Sequence, residues 1–468
     1  MRFFPLMIGL LAGCAVGPDY QRPEAPAAPQ FKEAQGWREA QPKDQLPRGS
    51  WWSVFGDAEL DRLMQRVEVS NQNIRLAEAR LRQARGVADQ ARAGLFPVVS
   101  ANASGIRTKS PSLANQPNFA NGAVDNYAVG LTANWDLDLW GRVRRSIEAG
   151  EDDWQASAAQ LEAARLSARA TLAQNYFALR VADTTQRLLD DTVKAYQRSL
   201  ELTQNRYQAG VAARVDVVQA QAQLKSAQAQ LIDIRLERAQ LEHAIALQLG
   251  DVPANFSLEK NELAINMPQI PLALPSELLE RRPDIAAAER AMAAANAQIG
   301  VARAAYFPTL SLSTAVGYRG TDYLTLFVPP GRFWSLGVSA AEALFDGGQR
   351  GALADQAAAA YDAQVATYRQ TVLTGYQEVE DNLAALRILE EEAAAQNDAA
   401  QAARRALELT LNQYAAGVVS YLNVITAQTS ALANERAAVN VLGRRLTASV
   451  GLVRALGGGW TADQIARR

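Results

Sequence analysis

The sequence has a single cysteine, Cys14, and a single histidine, His243, in 468 residues. No disulfide can close within the chain, and no Cys/His metal cluster can be assembled, so no metal is expected. A Ser-His-acid catalytic site would have to use His243. That residue sits among Leu241, Ile245 and Leu249 in a helical stretch and reads as a histidine on a helix flank. Charge of one sign is also missing: 47 Lys and Arg stand against 49 Asp and Glu. A nucleic-acid binder usually carries a basic excess on some face, so that class is disfavoured. No glycine-rich phosphate loop follows a strand pattern; Gly347 and Gly348 are adjacent, but their surroundings are not a P-loop. These absences point away from an enzyme and from a cofactor. What remains is rich in Ala, Gln, Arg, Glu and Leu, a mixture that favours helix.

The N-terminus reads as an address. Arg2 supplies a positive charge, and Phe3 to Leu11 is an apolar run too short for a bilayer, which needs ~20 apolar residues. Leu11-Ala12-Gly13-Cys14 then matches the lipobox that precedes a bacterial lipoprotein cysteine. Cys14 is therefore expected to be acylated, and each buried CH₂ of the acyl chains adds ~0.8 kcal/mol of membrane affinity. Ala15 follows, where Asp would favour inner-membrane retention, so sorting to the outer membrane is expected. Residues 17–47 carry prolines at 18, 23, 26, 29, 42 and 47 and are expected to form an extended arm along the body. Trp51, Trp52 and Phe55 mark the start of packed structure.

The rest of the chain is written twice. Ile74, Ala77, Glu78, Ala84, Ala91, Arg92, Phe96 and Pro97 recur as Ile285, Ala288, Glu289, Ala295, Ala302, Arg303, Phe307 and Pro308. Later, Asn205, Tyr207, Ala209, Gly210 and Val211 recur as Asn412, Tyr414, Ala416, Gly417 and Val418. Each copy opens with a helix, expected from Asp57 to Gly94 and from Asp284 to Ala305. Phe-Pro ends it, and strand alternation begins. Val99, Ala101 and Ala103 alternate with Ser100, Asn102 and Ser104; the returning strand sets Tyr127, Val129, Leu131, Ala133 and Trp135 against Ala128, Gly130, Thr132, Asn134 and Asp136. In the second copy Leu310, Leu312, Thr314 and Val316 are followed by Trp334, Leu336, Val338 and Ala340. Each copy thus carries one β-hairpin of membrane-spanning length, since ~9–11 tilted residues suffice.

Very long helices follow. Residues 151–208 contain neither Pro nor Gly, a stretch of roughly 85 Å at ~1.5 Å per residue. Leu189, Val193, Tyr196, Leu200, Thr203 and Tyr207 form a coiled-coil seam, and Gly210 ends the helix. After a turn, Val217, Leu224, Leu231 and Ile245 keep heptad spacing, with Ala220, Ala227, Ile234 and Leu241 beside them; Arg238 interrupts the first row. Gly375 and Gly443 interrupt the corresponding stretches of the second copy. The plan is a signal peptide (1–13), a lipidated arm (14–56), repeat 1 (57–250) and a linker (251–283). Repeat 2 (284–456) and a tail (457–468) complete it. The β-hairpins fall at about 97–138 and 308–345, and the helical-hairpin tips at about 207–216 and 414–423.

Four strands cannot close a barrel, and open edges are not tolerated in lipid. Two chains would give eight strands and a filled interior; three give twelve and leave a pore. Ser, Asn, Thr and Gly on one strand face fit a wet lumen. The fold expected is an α+β membrane protein. Four strands per chain enter a trimeric twelve-stranded outer-membrane β-barrel, continuous with a long α-helical periplasmic barrel, with an internal two-fold repeat.

The segment Leu274-Pro-Ser-Glu-Leu-Leu-Glu-Arg-Arg-Pro-Asp-Ile285, followed by Ala288-Glu289 and Ala294-Ala-Asn296, resembles the signature of OprM-type outer-membrane efflux lipoproteins of the TolC class. Cys14-Ala-Val-Gly-Pro-Asp-Tyr20 with Arg22-Pro23, and Trp51-Trp52 with Phe55 and Asp57, are similar to the same family, and the likeness covers essentially the whole mature chain. The resemblance implies a homotrimeric exit duct in the cell outer membrane, extending into the periplasm, with an equatorial belt. It also implies two partners, a periplasmic adaptor and an inner-membrane pump of the resistance-nodulation-division class. A type I protein-secretion duct shares this fold and is the alternative; the lipobox and the Pro-Asp-Ile signature favour small-molecule efflux. A periplasmic adaptor or a coiled-coil scaffold is disfavoured by two hairpins and two amphipathic strand pairs.

By the same resemblance the hairpin tips form the periplasmic mouth. Ala209, Gly210 and Val211, with Ala416, Gly417 and Val418, match the small motif that meets the adaptor; each Gly also reads as a helix cap. Gate candidates are Tyr207, Arg214, Asp216, Tyr414 and Asn423, with Arg206 flanking the first tip. Three copies of Asp216 on an axis would attract cations and repel each other. Alone, Asp216 is an acidic residue at a helix N-terminus, favoured by the macrodipole. Family members often carry an acid near the second tip, where this chain has Asn423 and Thr426.

Overall fold

In a computed structural model, residues 15–26, 28–33, 50–109, 123–261, 263, 268 and 281–460 are described. Residues 1–14, with Cys14 and the expected signal peptide, residues 110–122 and the Leu274–Glu280 part of the signature lie outside them. Among the described residues, seven α-helices and four strands fall in two compact units. No helix among the described residues is long and apolar enough to cross a membrane.

The first unit comprises residues 1–24, 81–157 and 288–368. It holds one sheet: β1 (Val98–Thr108), β2 (Val124–Leu137), β3 (Thr309–Gly320) and β4 (Arg332–Ala341), paired antiparallel in that order. The two expected hairpins are joined edge to edge through β2 and β3. Register follows the alternation in the sequence. Ala101, Leu131, Val316 and Trp334 line up across one face. Asn102, Gly130, Gly317 and Phe333 line up across the other. On that second face Asn102 Nδ2 donates to Thr132 Oγ1 at 2.9 Å, and the Ser311 and Ser339 hydroxyls lie 2.8 Å apart. A one-residue slip would exchange the faces, so the alternation fixes the register.

The second unit comprises residues 25–80, 158–287 and 369–468. Divided between the two units, the α-helices are α1 (Ala58–Ser70), α2 (Gln72–Ala93), α3 (Arg142–Gln208), α4 (Arg214–Gln248), α5 (Pro283–Ala304), α6 (Gln349–Ala415) and α7 (Tyr421–Ala455). The repeat is plain in their lengths: α3 and α6 have 67 residues each, α4 and α7 have 35 each. Trp51, Trp52, Phe55, Leu60, Leu63 and Met64 pack with Tyr176 and Phe177 of α3 and Val450 and Leu452 of α7 in the main core. Burying each large apolar side chain there stabilises the fold by ~1.5–3 kcal/mol.

Two expectations need correction. The opening helix is not continuous from Asp57 to Gly94; it breaks at Asn71, whose ψ of 124° is extended. The Asn71 carboxamide oxygen accepts from the Asn73 and Ile74 amides and so starts a new helix, while Nδ2 donates to the Gln248 carbonyl at 2.7 Å. An N-cap that also ties down the end of α4 outweighs one more helical turn. Conversely, α6 and α7 run through Gly375 and Gly443 without interruption. A Cβ on Gly443 would lie 2.7 Å from Val181 Cγ2, and one on Gly375 would lie 3.5 Å from the Arg282 guanidinium. These glycines admit neighbours; they do not end helices.

The Arg238 interruption has a physical reason. Arg238 Nε donates to Asp183 Oδ1 at 2.6 Å, and Nη2 donates to the Leu258 carbonyl at 2.7 Å. Arg180 binds the other Asp183 oxygen at 3.0 Å. The Asp183 side chain is 2% exposed, so this ionic group is buried, and Arg238 holds the start of the 251–283 segment against α3 and α4.

Candidate functional site

Each hairpin tip is built by the same device. At the end of α3 the Val211 amide donates to the Arg206 carbonyl and the Gly210 amide to the Tyr207 carbonyl, both at 2.9 Å. At the end of α6, Val418 donates to Gln413 at 2.9 Å and Gly417 to Tyr414 at 3.0 Å. This Schellman pattern needs a left-handed residue, and Gly210 (φ 76°) and Gly417 (φ 80°) supply it. Ala209, Gly210, Val211, Ala416, Gly417 and Val418 are all exposed there. Val211 and Val418 are 67% and 72% exposed, an apolar surface at each turn.

Below the turns the two hairpins are bound together. The Tyr414 and Tyr421 rings meet edge-on at 5.3 Å, both buried. Tyr414 Oη lies 3.4 Å from Thr203 Oγ1, Tyr421 Oη lies 3.3 Å from Ser199 Oγ, and Tyr196 Oη donates to the Gln428 carbonyl. Arg206 lies over the Tyr414 ring at 4.8 Å and donates to the Ala415 carbonyl at 2.8 Å. Burial pushes the Tyr421 hydroxyl above its ordinary pKa; the Ser199 hydrogen bond opposes this, and the Tyr414 and Asp216 charges add to it.

The gate candidates separate here. The repeat leads one to expect Tyr207 and Tyr414 in matching places in the seam; Tyr207 is 45% exposed, whereas Tyr414 is 3% exposed. The following helix explains the difference. Tyr414 has Tyr421 seven residues on, and the equivalent position after Tyr207 is Arg214, which is exposed and offers no ring to pack against. Asp216 lies in the first turn of α4, behind an Ala213 cap with no side-chain bond. Asn423 is exposed and accepts from Ser420 Oγ at 3.0 Å. Tyr196, Ser199, Thr203 and Tyr421 do not stand out as a group in the sequence. Tyr196 and Thr203 lie in the seam, and the Tyr414–Tyr421 heptad spacing is the one further signal there.

A family profile described as outer membrane efflux protein matches residues 63–251 and again 274–458, once over each copy. The chain belongs to that family. The toluene efflux pump outer membrane protein TtgC of Pseudomonas putida is 33% identical over 454 residues, covering 96% of this chain and 94% of TtgC. Outer membrane protein OprJ of Pseudomonas aeruginosa is 34% identical over 459 residues, covering 97% and 95%. The solved outer-membrane channel OprN superposes with a TM-score of 0.89 at 32% identity, covering 96% of this chain and all of that one. The four-stranded sheet and paired long helices are the α+β channel fold, and the chain is an outer-membrane efflux channel.

Proposed function

We propose that this efflux protein works as a homotrimeric, passive exit duct, lipid-anchored through Cys14, with no catalytic role and no cofactor. One observation carries the trimer. Val215, Val218, Ala222, Ala229, Ile232 and Leu236 step along α4 by threes, fours and sevens, and all are exposed. The buried seam of α4, with Ala220, Leu224, Ala227, Leu231 and Ile234, already packs within the chain. A second apolar heptad row on the opposite side is what a helix shared between two neighbours carries. Strands β1 and β4 are the sheet's two ends, and their unsatisfied edges need the same neighbours. Three chains supply twelve strands and a lumen lined by the Ser, Asn, Thr and Gly face.

The tips are the proposed docking surface for the periplasmic adaptor, which links the duct to an inner-membrane pump that selects the cargo. Tyr207, Arg214 and Asp216 are proposed to face the mouth, with Tyr414 and Arg206 holding the two tips together behind them. Native mass spectrometry in mild detergent tests the assembly: a trimer is expected, and a folded monomer or dimer defeats the duct reading. Mass spectrometry of the mature N-terminus tests the anchor, with lipid expected on Cys14.

A further inference from the structure

The N-terminal arm is inlaid from its first described residue. Gly141 has φ 81°, and a Cβ there would lie 2.8 Å from Ala15 Cα, so the backbones touch. The Val16 amide donates to the Trp140 carbonyl at 3.0 Å. Gly17, at φ 112°, lies so close to Gly300 that a Cβ would fall 2.5 Å from its Cα. Arg145, with a side chain only 6% exposed, binds Asp19 at 2.8 Å and the Gly17 carbonyl at 3.3 Å, and Asn296 donates to the Pro18 carbonyl at 3.0 Å. Ala15 and Val16 are held against the Trp140–Gly141 turn that follows β2, and one Cα step of ~3.8 Å links Ala15 to residue 14.

Two aromatic rings stand beside the place where the arm starts, next to the Arg144–Asp138 ion pair. Trp140 follows β2; its ring stacks on Phe307 at 4.9 Å and its Nε1 donates to the Pro308 carbonyl at 2.8 Å. The register puts the starts of β1 and β3 and the ends of β2 and β4 at one end of the sheet. In the single chain the junction residues there are exposed, Phe96 to 69% beside β1 and Leu344 and Phe345 to 92% and 91% beside β4, the two edges proposed to meet neighbouring chains. Aromatic side chains of this kind collect where a barrel meets the headgroup layer.

We propose that Trp140, Phe307 and the neighbouring junction residues form a seat for the acyl chains of Cys14, and that the inlaid arm is a rigid depth gauge setting how far the sheet enters the bilayer. This rests on the lipoprotein reading above. The occupant follows from chain length: an acyl group on residue 14 starts within one residue of Gly141 and Trp140. A slack tether would let the lipid enter anywhere around the sheet. This arm admits one place, at one depth.

The test uses the full-length protein in cells fed a palmitate analogue with a terminal diazirine. After illumination and digestion, cross-links are expected on peptides carrying Trp140 and Phe307, in excess over peptides from the middle of the strands. A flexible Gly-Ser insertion of about eight residues after Ala15 spreads the attachment point over roughly 16 Å and should lower the junction cross-links roughly fivefold, with label on the N-terminal peptide unchanged. Gly141→Leu, which displaces Ala15, should act in the same direction. Labelled N-terminal peptide with cross-links spread evenly along the strands overturns the seat. An unchanged junction signal in the insertion variant overturns the rigid gauge. Absence of label from the N-terminal peptide overturns the lipoprotein reading itself and the proposal with it.

Discussion

Gly317 on β3 stands opposite Gly130 on β2, and a Cβ built on Gly317 would lie 2.6 Å from the Gly130 Cα. This is where the hairpins of the two copies merge into one sheet. Real Cβ atoms do not approach backbone that closely, so any side chain forces the strands apart, at a cost of about 1–3 kcal/mol or more. Gly317→Ala is expected to lower the yield of assembled protein in the outer membrane. Gly337→Ala is the control, since its Cβ would meet only Ser313 Oγ at 3.6 Å. Equal yields of the two variants, measured by quantitative immunoblot of membrane fractions, would show that the β2–β3 contact is not sterically limiting.

Arg238 gives a second prediction. Arg238→Leu restores the heptad row but leaves the buried Asp183 with one fewer cation and the Leu258 carbonyl without its donor. Breaking a buried pair this way costs about 3–5 kcal/mol, far more than the apolar gain. Arg404→Leu removes a partner of Glu435 from a side chain that is 71% exposed, and should cost under about 1 kcal/mol. Thermal inactivation half-lives in detergent should fall sharply for the first variant and hardly move for the second. The opposite ranking refutes the network reading.

Asp152 makes stability depend on pH. Burial raises its carboxyl to about 6 against an ordinary value of 3.8; Arg290, at 3.4 Å, pulls the other way, and the Glu148 and Asp153 charges add to the rise. Between those two values the folded chain holds a proton that the unfolded chain has lost. Stability contributed by this group therefore falls as pH rises from about 4 to about 6 and is level above. Asp152→Asn should melt higher than the parent protein above pH 6 and converge with it near pH 4. Parallel melting curves across that range would mean that Asp152 is not buried in the assembled protein.

The internal repeat makes much of the fold legible in the sequence. Phe-Pro marks where helix gives way to strand, and the alternation around Leu131 and Val316 carries the register into the sheet. What stays hidden depends on which backbone approaches which. Asn71 reads as one polar residue in a helix until its carboxamide is seen on the Gln248 carbonyl. Gly443 reads as an interruption until Val181 fills the space beside it. Tyr207 and Tyr414 occupy equivalent positions, and only the exchange of Tyr421 for Arg214 on the following helix separates an exposed ring from a buried one. The prolines announce an extended arm along the body, but its contacts stay hidden because Gly17, Gly141 and Gly300 act through closeness, which one sequence does not record.

The tip glycines allow the docking proposal to be separated from a capping role. Both hold left-handed backbone, so any side chain costs ~1 kcal/mol in conformation. Their surroundings differ. Nothing lies within 4 Å of a Cβ on Gly210, whereas one on Gly417 would sit 3.5 Å from Arg206 Nη2. Gly210→Trp therefore adds bulk to the exposed turn without disturbing the Arg206–Tyr414 contact, and Gly417→Trp does both. The long seams behind the tips should absorb a defect of this size, so both variants are expected to assemble normally. Efflux of a fluorescent substrate should be lost in Gly210→Trp, where only the surface offered to the adaptor has changed. Gly417→Trp should lose efflux too, and also change single-channel conductance in planar bilayers, because Arg206 is displaced from Tyr414. Full efflux in both variants would reduce the tips to helix ends. Lost assembly in Gly210→Trp would show that its turn is structural, and the adaptor surface would have to be sought elsewhere on the hairpins.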